Sequence, residues 1–179
     1  MKITEYTIQI RSRLLINTYR KWIKKNSRVL DAGCGNGVLS EILKRELNIK
    51  VTCCDIENYL KKDLPFVLMD NKSKLPFADN SFDTVIAANV TGTYQDGYIP
   101  EAERILKNGG RLIVSFTEPF MSRSFAKNSS QQCQEAGFDS VDIRRGSMAT
   151  LLPGVVVNNY VIARKTSHFR GSGKNWRWL

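Results

Sequence analysis

The stretch 29–37, which reads VLDAGCGNG, constrains this chain more than any other part of its sequence. Two apolar residues precede an aspartate, and three glycines then follow at alternate positions. Apolar residues continue at helical spacing, at Val38, Leu39, Ile42 and Leu43. This pattern predicts a buried strand that turns sharply into a helix. Because such a turn lets backbone approach a ligand and the helix N-terminus offers free N–H groups, we expect a nucleotide-like cofactor here.

The spacing of the glycines argues against a bound pyrophosphate. A dinucleotide turn has the pattern G-x-G-x-x-G, whose third glycine would fall at Val38. Here the third glycine is Gly37, one position earlier, and Asp31 beside the turn would repel a pyrophosphate. The phosphate-loop pattern G-x-x-x-x-G-K-[ST] does not occur either. The turn therefore favours a ligand with a cationic group near Asp31 and no phosphate. The alternative is an ordinary tight turn, which needs only one or two glycines.

Strands and helices alternate along the sequence. Apolar runs predict strands at about 28–32, 49–54, 66–69, 82–90, 111–116, 138–144 and 155–163. Helical spacing predicts helices at about 3–25, 37–47, 99–106 and 123–136, with a short helix within 57–64 and a turn at 108–110. The alternation predicts an α/β fold, a Rossmann-like doubly wound sheet of seven strands that is mostly parallel and ends in an antiparallel hairpin.

Polar residues end four of the predicted strands. These residues are Asp31, Asp55, Asp70 and Asn89. In an open α/β sheet the ligand lies beyond the carboxyl ends of the strands, so these four are the residues that we expect near the cofactor. Asp55 lies 18 residues after Gly37 and suits an acid that accepts hydrogen bonds from ribose hydroxyls. The alternative role for Asp55 is a helix N-cap, which is compatible with ligand binding.

Several further motifs occur in a fixed order around the glycine turn. They are LDAGCGNG at 30–37, Asp55, Asp70, LPFADNSFDTV at 75–85 and AERILKNGGRLIV at 102–114. In this set and spacing the sequence resembles the class I S-adenosylmethionine-dependent methyltransferases, in particular the type 11 group, over about residues 28–117. The resemblance implies a methyltransferase fold, S-adenosylmethionine as the cofactor and methyl transfer as the activity.

The resemblance also implies roles for residues at the glycine turn. Gly33, Cys34 and Gly35 are expected to pass close to the methionine part of the cofactor. Asp31 is expected to help to hold the amino group of that part.

The remaining cofactor-binding roles fall on the later strand ends. The resemblance implies that Asp55 accepts the ribose hydroxyls and that Ile56 packs on the adenine ring. Asp70 is expected to accept from the adenine amino group, with the backbone of Asn71 nearby. Asn89 is expected to line the sulfonium side of the cofactor.

The charge of the chain is concentrated at its two ends. The net charge is +10, of which residues 1–28 carry +7 and residues 164–179 carry +5, so that the middle carries −2. We predict three parts: a basic helix at 1–27 that packs on the core, a cofactor-binding domain at 28–164 and a basic aromatic tail at 165–179. The basic ends suggest RNA or another anionic macromolecule as a partner. General solubility is the alternative explanation.

The cysteines and the histidine predict no metal site. The four cysteines form no C-x-x-C pair, and His168 is the single histidine. Reduced thiols, together with the absence of a secretory leader and of a long apolar run, predict a cytoplasmic protein. The sequence leaves the oligomeric state open.

Three functions remain open at this point. The first, slightly preferred, is a methyltransferase that acts on RNA or another anionic macromolecule, because Trp176 and Trp178 flank Arg177 in the basic tail and could stack on bases. The second is a small-molecule methyltransferase, and the third is a non-catalytic cofactor-binding partner subunit. No catalytic residue is assigned. Tyr94, Asp96 and Tyr98 are candidates for the substrate wall by position alone.

Overall fold

The computed structural model describes residues 5–69, 74–88, 90, 98–117, 123–149 and 155–166. Several residues singled out in the sequence lie outside these ranges: Asp70, Asn71, Asn89, Tyr94, Asp96, His168, Trp176, Arg177 and Trp178. The predictions made for them, and most of the predicted tail, therefore stay predictions.

The described residues form alternating helices and strands. The helices are α1 (Glu5–Tyr19), α2 (Val38–Leu47), α3 (Tyr98–Ile105) and α4 (Arg123–Glu135), with a short 3₁₀ helix at Arg20–Trp22. The strands are β1 (Arg28–Ala32), β2 (Lys50–Asp55), β3 (Phe66–Leu68), β4 (Phe82–Ala88), β5 (Leu106–Thr117), β6 (Ser140–Ala149) and β7 (Val155–Arg164).

The strands form one sheet in the described part of the chain, in the order β3-β2-β1-β4-β5-β7-β6. The neighbouring pairs from β3 to β5 are parallel, whereas β7 is antiparallel to both β5 and β6. The predicted seven-stranded, mostly parallel sheet with a C-terminal antiparallel hairpin is confirmed. The strand order reverses between β1 and β4, and this switch point is where ligands bind in doubly wound sheets.

Hydrophobic clusters cover both faces of the sheet. Val29 and Leu30, adjacent on β1, are fully buried in different clusters because successive strand side chains point to opposite faces. Val29 packs with residues of α1 and α2, and Leu30 packs with residues of α3. Burial of each such side chain contributes about 1.5–3 kcal/mol, so β1 is anchored from both sides just before the glycine turn.

Helix α1 lies across the face of the sheet that also carries α2. Tyr19, at its C-terminal end, is fully buried, and its hydroxyl donates a hydrogen bond to Ser115 on β5. Leu15 and Ile16 are buried in the same cluster. The helix predicted at 3–25 is too long, because the α-helix ends at Tyr19 and the backbone becomes extended at Ile23.

No helix forms within 57–64, which corrects the sequence prediction. The N–H group of Lys61 donates to the carbonyl oxygen of Asn36 at 3.2 Å, and Leu60 packs beside Gly37. These contacts hold the segment against the glycine turn. Local helical hydrogen bonds are therefore replaced by tertiary ones.

The segment 108–110, predicted as a turn before the fifth strand, is part of β5. Gly109 donates its N–H to the carbonyl of Lys165 at 2.7 Å, and Lys165 donates to the carbonyl of Gly110 at 3.0 Å. Pairing with the chain that follows β7 thus continues the ladder. Gly109 has a φ of +79°, which accommodates the irregularity without Cβ strain.

Asp83 and Arg104 belong to the sequence motifs at 75–85 and 102–114, and both have structural roles around β4. Asp83 accepts the N–H of Arg28 at 2.8 Å and binds Lys107 Nζ at 3.0 Å, and so joins the starts of β1, β4 and β5. Arg104 on α3 pairs with Glu101 and Asp79 and donates to the carbonyl oxygens of two loop residues, Leu75 and Phe77. Its planar guanidinium fork therefore fixes the loop before β4.

We expect Arg104→Ala to lower the free energy of unfolding by about 2–4 kcal/mol, because it removes the cationic partner of Glu101 and the donor to the loop carbonyls. Urea denaturation measures this change. The control is Arg144→Ala, which removes an exposed arginine paired with Asp142 at 3.5 Å and should cost less than about 1 kcal/mol. Equal losses in the two variants would contradict the role given to Arg104.

Candidate cofactor site

The glycine turn leaves the carboxyl end of β1 and leads into α2. Gly33, Gly35 and Gly37 all have positive φ, at +74°, +53° and +79°, a region that L side chains rarely adopt. Gly33 and Cys34 donate their N–H groups to the carbonyl of Cys54 on β2. The backbone is therefore folded tightly between β1 and β2, as the sequence pattern predicts.

Gly33 is also sterically restricted. A Cβ atom at this position would lie 2.4 Å from Cγ2 of Val90, which follows β4. At Gly35 an added Cβ would meet no atom within 4 Å. The two glycines thus differ in packing, although both need positive φ.

This difference predicts that Gly33→Ala destabilises the protein more than Gly35→Ala. The left-handed backbone costs an alanine about 1–2 kcal/mol at either position. Contact with Val90 adds about 1–3 kcal/mol at Gly33 alone. Denaturant unfolding of the two variants measures the difference, and equal midpoints would show that the contact with Val90 is readily relieved.

Asp31, at the end of β1, is buried beside the turn with 2% of its surface exposed. Ser40 Oγ donates a hydrogen bond of 2.5 Å to its Oδ2 atom. Burial raises the pKa of Asp31 to about 6; the Ser40 hydrogen bond opposes this rise and the charge of Asp55 adds to it. The carboxylate is therefore an acceptor held in place before any ligand arrives, and a cation beside it would favour its ionised form.

Asp55 ends β2 next to the turn. Its Oδ2 atom accepts the N–H of Gly35 at 2.8 Å, and its Oδ1 atom accepts the N–H of Ile56 at 2.8 Å. The carboxylate is half-buried, and each oxygen retains lone-pair capacity for a further donor. Ile56 beside it is 46% exposed, an unusually open position for a large apolar side chain at a sheet edge.

A cavity of about 340 Å³ lies between α1 and the glycine turn. It is lined on one side by Asp31, Gly33 and Cys34 and on the other by residues of α1 that include Ile8, Arg11 and Leu15. This volume is within the range of small-molecule sites. Most of its wall is apolar, and two charged side chains of opposite sign, Arg11 and Asp31, face it.

Arg11 is the site residue that sequence reasoning missed. The sequence indicates this role only weakly. Arg11 lies between Ile8 and Leu15 on the face of α1 that packs against the core, where arginine is unusual. Burial lowers the pKa of Arg11, but arginine pKa values are so high that the side chain remains a cation.

Cys34 lines the same cavity, but its thiol is not activated. The hydrogen bond with the Cys53 thiol, together with burial, raises the pKa of Cys34 well above the ordinary value. It therefore stays a neutral thiol near pH 7 and lacks the thiolate that a nucleophilic cysteine needs.

The structure brings together Asp31, Gly33, Cys34, Gly35 and Asp55, with Ile56 next to them. Asp70, Asn71 and Asn89 lie outside the described residues. Met69 donates its N–H to the carbonyl of Asp55 at 2.8 Å, so the chain leaves β3 beside this group. Tyr98, a candidate for the substrate wall, is buried in the hydrophobic core at the start of α3 and does not line the cavity described above.

Comparison with known proteins supports the fold and the resemblance to methyltransferases. Residues 30–114 match the sequence pattern of a family described as a methyltransferase domain. This range begins on β1, includes the whole glycine turn and ends on β5. Residues 30–114, slightly less than half of the chain, are therefore similar to a methyltransferase domain, which supports the resemblance inferred from the sequence.

Individual relatives match about half of the chain. The chain is 32% identical over 107 residues to ribosomal RNA-processing protein 8 of Dictyostelium discoideum. The matched region covers 54% of this chain and 23% of that protein. The chain is also 33% identical over 126 residues to the ubiquinone/menaquinone biosynthesis C-methyltransferase of Pseudomonas putida, which covers 58% of this chain and 48% of that protein. The chain thus spans at most about half the length of these two relatives.

A solved methyltransferase structure shows the same fold. A S-adenosylmethionine-dependent methyltransferase from Methanosarcina mazei superposes with a TM-score of 0.63 and 19% identity, over 85% of this chain and 97% of that one. The methyltransferase-domain match and this structure support S-adenosylmethionine as the cofactor, as predicted from the sequence. In the described ranges, no group of three or more histidine, cysteine or acidic side chains is arranged to hold a metal ion. No helix among the described residues is long and apolar enough to cross a membrane.

Proposed function

We propose that this protein transfers a methyl group from S-adenosylmethionine and that the cavity between α1 and the glycine turn holds the amino acid end of that cofactor. The observation that carries this proposal is that Arg11 and Asp31, of opposite charge, line the same cavity. A free amino acid end carries one carboxylate and one ammonium group. Arg11 is the partner for the carboxylate, and Asp31 is the partner for the ammonium group.

The end of β2 supplies the groups for the nucleoside. We propose that Asp55 accepts hydrogen bonds from the ribose hydroxyls, because its two oxygens are already oriented by the N–H groups of Gly35 and Ile56. The exposed Ile56 side chain is the apolar surface for the adenine ring. Asp70 and Asn71 for the adenine, and Asn89 for the sulfonium side, remain part of the proposal on the strength of their sequence positions.

The proposed contribution of these residues to the reaction is to bind and position the cofactor. When bound, the cofactor supplies a methyl group on a sulfonium with a neutral thioether as the leaving group. The residues of the chain orient this cofactor and exclude water, and both contributions lower the barrier of a displacement. No general base is assigned. The neutral Cys34 thiol serves as part of the wall and does not act as a nucleophile.

RNA is the acceptor that we favour. Support comes from the two basic ends of the sequence and from the relative named as a ribosomal RNA-processing protein. A small-molecule acceptor is the second candidate, supported by the relative named as a quinone C-methyltransferase. A non-catalytic cofactor-binding subunit is the third and has the least support, because Asp31 and Asp55 are both in place. We also propose a cytoplasmic location, which agrees with four cysteines that are all free thiols.

Methyl transfer into a fractionated cell extract tests the proposed function. The purified protein is supplied with cofactor labelled on its methyl group, and the label in RNA, protein and small molecules is counted. We expect label in RNA and none with Asp55→Ala. Label in small molecules alone would replace the RNA acceptor with the second candidate. No label in any fraction, despite cofactor binding, would favour the non-catalytic subunit.

A further inference from the structure

Several lysine and arginine side chains lie near the amino ends of the parallel strands, at the edge of the sheet opposite the cofactor cavity. We propose that this surface binds the phosphate backbone of single-stranded RNA; the identification of RNA as the partner rests on the proposed function. We call the surface the basic edge and define it by seven residues: Arg20, Lys21, Lys24, Arg28, Lys50, Arg111 and Arg164.

The strand register brings cations from separate parts of the sequence together on the basic edge. Arg28 at the start of β1 is paired with Lys50 at the start of β2, and both side chains are exposed. Arg111 on β5 is paired with Arg164 at the end of β7. Val29 and Val51 point to the α1 face, so by alternation Arg28 and Lys50 project to the α3 face, whereas Arg111 and Arg164 project to the α1 face. Cations therefore flank both sides of the same edge, along which a charged polymer can run.

The segment after α1 adds to the same surface. Arg111 donates a hydrogen bond from Nη1 to the carbonyl of Trp22 at 3.4 Å, so the end of the 3₁₀ helix lies against Arg111 of β5. Lys24 and Arg111 line one small cavity together with Gly110. The exposed side chains of Arg20, Lys21 and Lys24 are therefore added to those of the strands. The basic N-terminal segment and the end of β7 meet here, which the sequence alone does not reveal.

The acids near the basic edge are already bound by other groups. Asp83 accepts from Lys107 and from the backbone of Arg28, and Glu103 pairs with Lys165 at 3.5 Å. Across the ranges that the structure describes, none of the seven side chains of the basic edge forms an ion pair. The surface therefore presents positive charge that the protein itself does not neutralise.

The cross-strand pairing of Arg111 with Arg164 places two like charges opposite each other. Ile113 and Ile162, two positions along each strand, share one hydrophobic cluster, so by alternation both arginines lie on the α1 face of the sheet. Like charges directly opposite each other in an antiparallel pair are destabilising. A bound polyanion would relieve this repulsion, which gives the pair a use in binding.

The composition of the surface favours a nucleic acid over a membrane. Membrane-surface segments combine cations with exposed large apolar side chains. Within the described ranges, the exposed large apolar residues are Ile56, Tyr59, Leu68 and Ile143, none of which belongs to the basic edge. Helix α1 extends from the cavity, which Ile8, Arg11 and Leu15 line, to the basic edge beyond its C-terminal end, and it carries the exposed Arg13. An RNA strand that is bound at the basic edge can therefore extend along α1 toward the cofactor.

Fluorescence anisotropy with a labelled single-stranded RNA of about 20 nucleotides tests this proposal in the full chain. We expect the double variant Arg111→Ala/Arg164→Ala to bind at least tenfold more weakly at low salt. We also expect the slope of log K against log salt to fall in magnitude by about 2. The matched control, Lys127→Ala/Arg144→Ala, removes the same charge from exposed positions on α4 and β6 and should change affinity less than threefold.

Three results would overturn the proposal. One is unchanged RNA binding in the Arg111/Arg164 variant, and another is an equal loss in the control. The third is binding to phosphatidylserine vesicles, but not to RNA, that depends on Arg111 and Arg164. Cofactor titration of the same variants separates this proposal from the proposed function. We expect unchanged cofactor affinity in both, whereas failure of the unaltered protein to bind the cofactor would count against the methyltransferase proposal alone.

Discussion

Asp31→Asn is expected to stabilise the protein without cofactor and, at the same time, to weaken its binding of S-adenosylmethionine. The buried carboxylate is costly to ionise, because burial raises its pKa to about 6 from an ordinary value of 3.8. A shift of that size lowers the free energy of unfolding by as much as about 3 kcal/mol at neutral pH. Asparagine is uncharged, and its side-chain oxygen can still accept from Ser40, so we expect it to recover much of this cost.

The effect on stability depends on pH in a defined direction. Between about pH 4 and pH 6 the folded protein holds the Asp31 proton while the unfolded chain has lost it. The free energy of unfolding of the native protein therefore falls relative to that of Asp31→Asn as pH rises through this range, and the difference is constant above about pH 7. Urea denaturation of both proteins at several pH values measures it. A difference that does not vary with pH would contradict the buried-carboxylate account.

The effect on binding is expected to have the opposite sign. A hydrogen bond to a charged group contributes about 1.5–3 kcal/mol, so loss of the Asp31 carboxylate should weaken cofactor binding about 10- to 100-fold at pH 7.5. In the native protein, affinity should also fall as pH drops below about 6, because protonated Asp31 no longer attracts an ammonium group. Calorimetric titration tests both statements. A variant that is more stable and binds equally well would remove Asp31 from the cofactor site.

Asp55→Ala is expected to weaken cofactor binding by about 100-fold or more. Two hydroxyl donors to one carboxylate contribute about 1.5–3 kcal/mol each. Alanine also removes the acceptor of the Gly35 and Ile56 N–H groups, so part of the loss will come from the turn itself. Asp55→Asn keeps one acceptor oxygen, which can bind the N–H group of either Gly35 or Ile56. We expect this variant to bind the cofactor with intermediate affinity.

Asp63→Ala is the matched control for this prediction. Asp63 is an exposed acid in the same β2–β3 connection, and its removal changes the net charge equally. We expect its cofactor affinity to stay within about twofold of the native value. Equal losses for Asp55→Ala and Asp63→Ala would indicate a general charge effect in place of a specific contact.

The parts of the fold and site that the sequence predicts are those fixed by local pattern. Three alternate glycines after a buried strand permit the positive φ values of a tight turn. The topology of a parallel sheet then brings the acids at the strand ends to the same edge. The mostly parallel, doubly wound sheet follows from the same alternation of strands and helices. The roles of Asp31, Gly33, Cys34, Gly35, Asp55 and Ile56 in binding remain proposals, because geometry brings them together but does not by itself bind a ligand.

The parts that the sequence does not predict depend on tertiary contacts. Arg11 faces the cavity only because α1 lies across the glycine turn. The segment 57–64 is not helical because Lys61 and Leu60 are held by Asn36 and Gly37. The basic edge likewise exists only because strand register joins Arg111 to Arg164. In each case the local sequence is compatible with more than one outcome, and a distant residue decides between them.

The most direct test of the central claim compares two ligands on the unaltered protein. S-adenosylhomocysteine and 5′-methylthioadenosine share an adenosine and a thioether, but only the first has an amino acid end. If Arg11 and Asp31 hold that end, calorimetry should give an affinity for S-adenosylhomocysteine at least 100-fold higher, since two charge-assisted contacts are at stake. Equal affinities, or no binding of S-adenosylhomocysteine, would contradict the assignment of the cavity as the cofactor site.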